Sequence, residues 1–63
     1  MKTVNFQLEG MNSLELTHVD NDLFEVRLAI DGQITIYYMS YEQVKQLGAT
    51  FYIGTALSAY FDQ

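Results

Sequence analysis

One histidine and two nearby aspartates are the residues of this chain best suited to chemistry. His18, Asp20 and Asp22 lie close together in the sequence, and an imidazole beside two carboxylates could act as a general base or bind a divalent cation. The spacing does not fit an EF-hand calcium loop, which would require glycine where Glu25 stands and glutamate where Asp31 stands. The chain has no cysteine, and none of its serines lies in a recognised nucleophile motif. We therefore predict a turn with solvated carboxylates and no catalytic, metal or cofactor site.

The acidic side chains offer a second candidate function. Eight Asp and Glu against three Lys and Arg give a net charge of −5, which argues against nucleic acid or an anionic membrane as a partner. The distribution is usual for a soluble surface. The alternative is a platform that docks onto a basic protein surface, where charge complementarity speeds association. The residues predicted to form this acidic face are Glu9, Glu15, Asp20, Asp22, Glu25 and Tyr37.

The length of the chain limits how it can be stabilised. We expect its 63 residues to form one domain, 1–63, and a domain of this size buries only about 60% of the surface that its unfolded chain exposes. Small folds are usually supported by disulfides, a metal or oligomerisation. The absence of cysteine and the single histidine leave oligomerisation, so we predict a homodimer or a higher oligomer.

The sequence also predicts where the protein is located. Lys2 is followed by alternating polar and apolar residues, which is not the pattern of a secretory signal. The longest uncharged run, 46–61, has 16 residues, whereas a membrane span needs about 20. We therefore expect a cytoplasmic protein.

Alternation of apolar and polar residues predicts three strands in the first half of the chain. Turns are expected at 10–12 and 20–22, where glycine, asparagine and aspartate cluster. Counting back from these turns places Glu15 opposite Arg27, as a cross-strand pair of opposite charge. The inward-facing residues are predicted to be Val4, Phe6 and Leu8, then Leu14 and Leu16, then Phe24, Val26, Leu28 and Ile30.

Asp31 and Gly32 form the clearest hairpin signal of the sequence. A two-residue loop would pair Ile30 with Gln33 and put an apolar and a polar residue on the same face. We expect a three-residue loop, which pairs Ala29 with Gln33 and keeps the faces consistent.

The expected loop fixes the orientation of the fourth strand, 33–39. It directs Ile34, Ile36 and Tyr38 into the core. It also places Tyr37 on the outside, opposite Glu25.

The second half of the chain predicts a helix from Ser40 to Phe61. Ser40 and Gln43 have the spacing of a capping box. Gly48 could instead end a shorter helix. We expect one helix, with room for a bend near Gly48, because the apolar spacing continues in phase and no proline interrupts it.

This helix has two apolar stripes, whereas packing on one sheet requires one. We expect the second stripe to be covered by another copy of the chain. The first stripe consists of Val44, Leu47, Phe51, Gly54 and Ser58. The second, the predicted self-association interface, consists of Ala49, Ile53, Ala56, Leu57 and Tyr60.

The predicted fold is therefore α+β, a four-stranded antiparallel β-meander with one C-terminal α-helix packed on one face (ββββα). The expected function is that of a small acidic, non-enzymatic binding protein that occupies a surface of another macromolecule. Its size and charge are typical of phage or mobile-element inhibitors of host nucleic-acid-handling or defence proteins. The alternative is a structural subunit that assembles through the C-terminal helix.

Overall fold

The computed structural model describes residues 2–61, which form four strands and two helices. The elements are β1 (Lys2–Gln7), β2 (Ser13–Asp20), β3 (Leu23–Ile30), β4 (Gln33–Met39), α1 (Tyr41–Thr50) and α2 (Gly54–Phe61). The strands pair antiparallel in the order β1-β2-β3-β4, and the helices follow them. The predicted α+β class and the four-stranded meander with a C-terminal helix are therefore confirmed, with a short second helix in addition.

The core lies between one face of the sheet and the two helices. Its strand residues come from the central strands β2 and β3, where alternation directs every second side chain to the same face. α1 contributes Val44, and α2 contributes Leu57 and Tyr60. The strand residues of the core are Leu14, Leu16, Phe24 and Val26.

The turn between β3 and β4 has two residues, so the predicted three-residue loop is wrong. Asp31 and Gly32 have φ angles of 52° and 83°, and Ile30 pairs with Gln33. Two consecutive positive φ angles define a type I′ turn, whose twist matches that of the flanking strands. The favourable twist of this turn outweighs the cost of pairing Ile30 with Gln33 at the end of the sheet.

This turn reverses the faces expected for β4. Tyr37 pairs with Val26, a core residue, and therefore lies on the helix side of the sheet. Ile34, Ile36 and Tyr38 lie on the opposite side, so their predicted burial is wrong. A change of one residue in the loop moves every side chain of the strand to the other face.

The start of α1 was predicted correctly. The Gln43 backbone N–H donates to the Ser40 hydroxyl oxygen at 3.3 Å, and the Ser40 N–H donates to the Gln43 side-chain oxygen at 2.9 Å. These two bonds form the capping box. A third bond joins the helix to the sheet, since the Tyr41 N–H donates to the Asp22 carboxylate at 2.8 Å.

The single helix predicted to reach Phe61 is wrong, because α1 ends before it. The Ile53 N–H donates to the Gly48 carbonyl at 2.9 Å and the Tyr52 N–H to the Ala49 carbonyl at 3.3 Å, which is a Schellman motif. Tyr52 takes the left-handed conformation, with a φ of 58°. Neither helix within residues 2–61 is long and apolar enough to cross a membrane.

Gly48 lies inside α1 and allows α2 to pack closely against it. A Cβ atom at this position would overlap the Leu57 side chain. Leu57 is only 3% exposed, so its methyl groups have little room to move. The glycine that looked like a helix end in the sequence is therefore a point of close contact between the two helices.

The packing predicts the effect of a Gly48→Ala substitution. We expect the overlap with Leu57 to cost about 1–3 kcal/mol, more than the roughly 0.5–1 kcal/mol that alanine gains over glycine in a helix. The free energy of unfolding, measured by urea denaturation, should therefore fall. Gly54→Ala is the matched control, because no atom lies within 4 Å of a Cβ there. Equal effects of the two substitutions would contradict the packing described for Gly48.

The corner between the helices predicts the effect of a Tyr52→Gly substitution. The Tyr52 side chain is 95% exposed, so its removal costs little packing. Glycine relieves a left-handed strain of about 1–2 kcal/mol and loses about 0.5–1 kcal/mol in chain entropy. We expect a net gain of about 0–1.5 kcal/mol in the free energy of unfolding. Tyr52→Ala retains the strain and should show no such gain in the same denaturation experiment.

Candidate interaction surface

The face of the sheet opposite the helices, here called the outer face, changes from polar to apolar between its two edges. From β1 to β4 its side chains are Thr3, Asn5 and Gln7, then Ser13, Glu15 and Thr17, then Glu25, Arg27 and Ala29, then Ile34, Ile36 and Tyr38. Apart from Leu23 at the start of β3, which is 40% exposed, the large apolar side chains of this face therefore collect on one edge strand. Ile34, Ile36 and Tyr38 are called the apolar stripe below.

The apolar stripe is largely open to solvent. Ile34 is 68% exposed, Ile36 46% and Tyr38 63%. Single exposed apolar residues are common on protein surfaces, but adjacent ones on one face indicate an interaction site. The stripe lies opposite the face on which the helices pack, so these helices cannot cover it.

Charged side chains border the apolar stripe in the middle of the outer face. The Arg27 Nε lies 3.2 Å from Glu25 Oε1 and 4.0 Å from Glu15 Oε1, and the predicted pairing of Glu15 with Arg27 is confirmed. The Tyr38 hydroxyl donates to Glu25 Oε2 at 3.0 Å. Ion pairs at this exposure contribute only about 0–1 kcal/mol each. Their main effect is to place two carboxylates and one guanidinium beside the stripe.

Glu25 also changes the acidity of Tyr38. The hydrogen bond that the phenol donates to Glu25, together with the negative charge of that carboxylate, raises the pKa of Tyr38. Arg27 opposes the shift in part. Tyr38 therefore remains a protonated hydrogen-bond donor at neutral pH, at the border between the stripe and the charged residues.

Asp20 and Asp22 have local structural partners at one end of the sheet. The Asp20 carboxylate accepts a bond from the Asn21 N–H at 2.9 Å, and the Asp22 carboxylate binds the N–H of Tyr41 at the start of α1. Both residues lie at the turn between β2 and β3. Their positions are explained by the turn and the helix start.

Only Glu15 and Glu25 of the predicted acidic face lie together on the outer face. Glu9 lies in the turn after β1, at the end of the sheet away from the β2–β3 turn. Tyr37 is 43% exposed but lies on the helix side, so its predicted position beside Glu25 is wrong. Tyr38 occupies that position. A binding role for the acidic residues stays a prediction.

The five residues of the predicted self-association interface do not form one exposed stripe. Leu57 and Tyr60 belong to the core of their own chain, and Ile53 is partly buried against that core. Ala49 and Ala56 are exposed. In this structure a second copy could contact the two alanines but not the two buried side chains. Self-association through these residues stays a prediction.

His18 lies at the margin of the helix side of the sheet. Its ring stacks on Phe24 with 4.6 Å between the ring centroids, and its Nε2 is 2.7 Å from the Asn21 carbonyl oxygen. Within residues 2–61, no cluster of three or more His, Asp or Glu residues could hold a metal ion. The contacts of His18 are those of a side chain that closes the end of the core.

Two shallow clefts flank the aromatic cluster around Phe61. The Phe61 ring contacts Phe24, Tyr41 and Tyr60 at centroid distances of 5.5, 4.7 and 5.0 Å. The clefts have volumes of about 240 and 160 Å³, and pockets that enclose a drug-sized ligand measure roughly 300–1,000 Å³. Both clefts are therefore too small to enclose a ligand of that size.

Sequence reasoning missed the apolar stripe because it assigned the wrong loop to the β3–β4 turn. The signal was present in the sequence: Asp followed by Gly is the preferred pair for a two-residue type I′ turn. Applying that preference would have placed Ile34, Ile36 and Tyr38 on the outer face. The three-residue loop is favoured only by the avoidance of an Ile30–Gln33 pair, which puts an apolar and a polar residue on the same face.

No protein-family model, curated protein or solved structure matches the chain. Its function must therefore be inferred from the geometry and chemistry of its own residues. The outer face, with its apolar stripe and charged border, is the feature from which that inference begins.

The hydrogen bond between Tyr38 and Glu25 predicts the effect of Glu25→Ala. Removing the carboxylate should lower the pKa of Tyr38, because both the acceptor and its charge are lost. An NMR titration of the tyrosine ring carbons measures this change. Glu9→Ala is the control and should leave the Tyr38 titration in place; an unchanged pKa in Glu25→Ala would contradict the assigned contact.

The same bond has a defined effect on stability at alkaline pH. A pKa raised in the folded chain favours the neutral phenol, so the stabilisation is complete below the ordinary tyrosine pKa of 10.0. It is lost as the pH rises through the raised value. In Glu25→Ala the fall in stability above about pH 10 should be smaller than in the unsubstituted chain.

Proposed function

We propose that this chain is a non-enzymatic protein-binding module that docks onto its partner through the outer face of the sheet. The observation that carries the proposal is the apolar stripe, whose three side chains are 46–68% exposed. The partner surface that fits it has an apolar depression with basic groups at its rim.

The energetics require both the apolar stripe and its polar border. Complete burial of one large apolar side chain contributes about 1.5–3 kcal/mol, and the side chains of the stripe are already partly buried. Association costs at least about 4 kcal/mol in lost translational and rotational freedom. The stripe alone would therefore give weak binding, and hydrogen bonds from the border must add to it.

The border supplies groups that suit a basic partner. Glu15 lies opposite Arg27 on β2, Glu25 lies two residues before Arg27 on β3, and the whole chain has a net charge of −5. This charge favours encounter with a positively charged surface and makes the association rate depend on salt. The Tyr38 hydroxyl donates a hydrogen bond to Glu25 in the charged border. The apolar contact surface therefore ends at a polar group.

A more specific role within this function is inhibition of the protein that the chain binds. A small acidic protein that covers a basic groove would block whatever anionic ligand the groove normally binds. A host protein that handles nucleic acid, including one used in defence, has such a groove. The charge of the chain and its uncovered outer face support this role.

The proposal predicts the outcome of an affinity capture from an extract of the cells in which the chain is produced. The unsubstituted chain should retain a protein that the double variant Ile34→Thr, Tyr38→Thr loses by about tenfold or more, because the apolar contact is gone. Threonine preserves the preference for a strand. The amount retained is measured by quantitative mass spectrometry.

The matched control is Met11→Thr. It also replaces an exposed apolar side chain by threonine, but Met11 is 96% exposed in the turn between β1 and β2 and lies outside the sheet, so this variant should retain the partner in full. Glu15→Gln should slow association with the purified partner at low salt and have little effect at high salt. Equal capture by all the variants would rule out the outer face as the docking surface.

A further inference from the structure

Strand β4 is the last strand of the sheet, and among residues 2–61 no further strand pairs with its outer edge. A β-turn closes with a hydrogen bond between its first and fourth residues, here Ile30 and Gln33, and hydrogen-bonded pairs then alternate along an antiparallel ladder. The bonds between β3 and β4 therefore come from Gln33 and every second residue after it. The N–H and C=O groups of Ile34, Ile36 and Tyr38 point the other way, toward the open edge.

This edge lacks the features that usually protect one. Natural edge strands carry charged residues, proline or a bulge that prevents pairing with another chain. β4 has neither charge nor proline, its pairing with β3 shows no irregularity, and six of its seven residues are exposed. At the other edge of the sheet, the Lys2 ammonium lies 4.8 Å from the centre of the Tyr60 ring, so α2 covers the start of β1.

We propose that two copies of this chain join through β4, antiparallel and centred on Ile36, to form one continuous sheet of eight strands. Ile36 then lies opposite Ile36 of the second copy, and Ile34 lies opposite Tyr38 on each side of the centre. On the helix side, Thr35 lies opposite Tyr37. In this register every outward N–H and C=O group of Ile34, Ile36 and Tyr38 gains a partner.

The outward-pointing residues of β4 determine the register between the two copies. Antiparallel pairing requires outward-pointing residues to face each other, which limits the pairs to combinations of Ile34, Ile36 and Tyr38. Only the register centred on Ile36 uses all three on both copies. It also places isoleucine against isoleucine or tyrosine, which are favourable cross-strand pairs.

Charge favours a second copy at this edge over other ways of joining two such chains. Each copy carries a net charge of −5, so most contacts between two copies would bring acidic groups together. The segment from Gln33 to Tyr41 contains no charged residue. The β4 edge is therefore the side on which two copies approach with the least repulsion.

The dimer goes beyond the proposed function, because it uses the backbone edge of β4 and leaves the outer face open. The symmetry axis runs perpendicular to the sheet, so the helices of both copies lie on the same side. The two apolar stripes then meet at the centre of the joined outer face. The dimer can be tested on the purified chain without any partner.

The first test compares molecular mass by analytical ultracentrifugation over a range of concentrations. The unsubstituted chain should be a dimer, and Ile36→Glu should raise the dissociation constant at least about tenfold, because two carboxylates would face each other. Ile36 lies opposite Arg27, so a glutamate there suits the single chain. The control Asn5→Lys adds a charge opposite Glu15, in the same row at the other edge, and should leave the dimer intact.

The second test examines the register. An equimolar mixture of the Ile36→Glu and Ile36→Lys chains should recover the dimer mass, because position 36 faces itself. Since the chain has no cysteine, Ile36→Cys introduces a single thiol. The Cα atoms of a hydrogen-bonded antiparallel pair lie about 5.5 Å apart, which suits a disulfide. Oxidation should link the Ile36→Cys chains, and Asn5→Cys chains should remain unlinked.

Three results would overturn the dimer. The unsubstituted chain could be a monomer at every concentration, or Ile36→Glu could leave a dimer intact. A dimer that dissociates with Ile53→Asp but not with Ile36→Glu would place the contact on the helices instead. None of these results decides whether the outer face binds a partner, because that binding is measured separately by the capture of Ile34 and Tyr38 variants.

Discussion

The type I′ turn at Asp31 and Gly32 determines how the sheet divides its side chains between core and solvent. Both residues have positive φ angles, and the two-residue loop pairs Ile30 with Gln33. From that pair onward, the faces of β4 are fixed by alternation. Tyr37 is thereby directed toward the helices, and the apolar stripe toward solvent. Both the proposed docking face and the proposed dimer edge depend on this one turn.

The helices complete a core that the sheet cannot close alone. β2 and β3 supply fully buried side chains, but β4 has six exposed residues out of seven, so the core is displaced toward the middle of the sheet. The Schellman motif at Tyr52 turns the chain so that α2 packs on α1, with Gly48 giving room for Leu57. The two short helices thus bury Val44, Leu57 and Tyr60 in one core with the sheet.

The fold was predictable where local signals agreed with each other. Alternation gave the strands, the capping box at Ser40 gave the start of α1, and the pairing of Glu15 with Arg27 followed from the turns. Two features of the fold differ from the prediction. Tyrosine seldom takes the left-handed conformation that Tyr52 has here. No local signal in the sequence therefore marks the helix break. The faces of β4 did have one, in Asp31-Gly32, but the expected burial of Ile34, Ile36 and Tyr38 opposed it. The site was missed for that reason.

Phe61, which packs against Phe24, Tyr41 and Tyr60, also constrains the order in which the molecule can be made. The hairpins use short connections and can form as soon as their strands leave the ribosome. The apolar face of the sheet stays uncovered until Leu57, Tyr60 and Phe61 have been synthesised, because these are the last core residues in the chain. Until α2 emerges, the nascent sheet exposes apolar side chains on both surfaces, and this interval is when the growing chain most needs protection from aggregation.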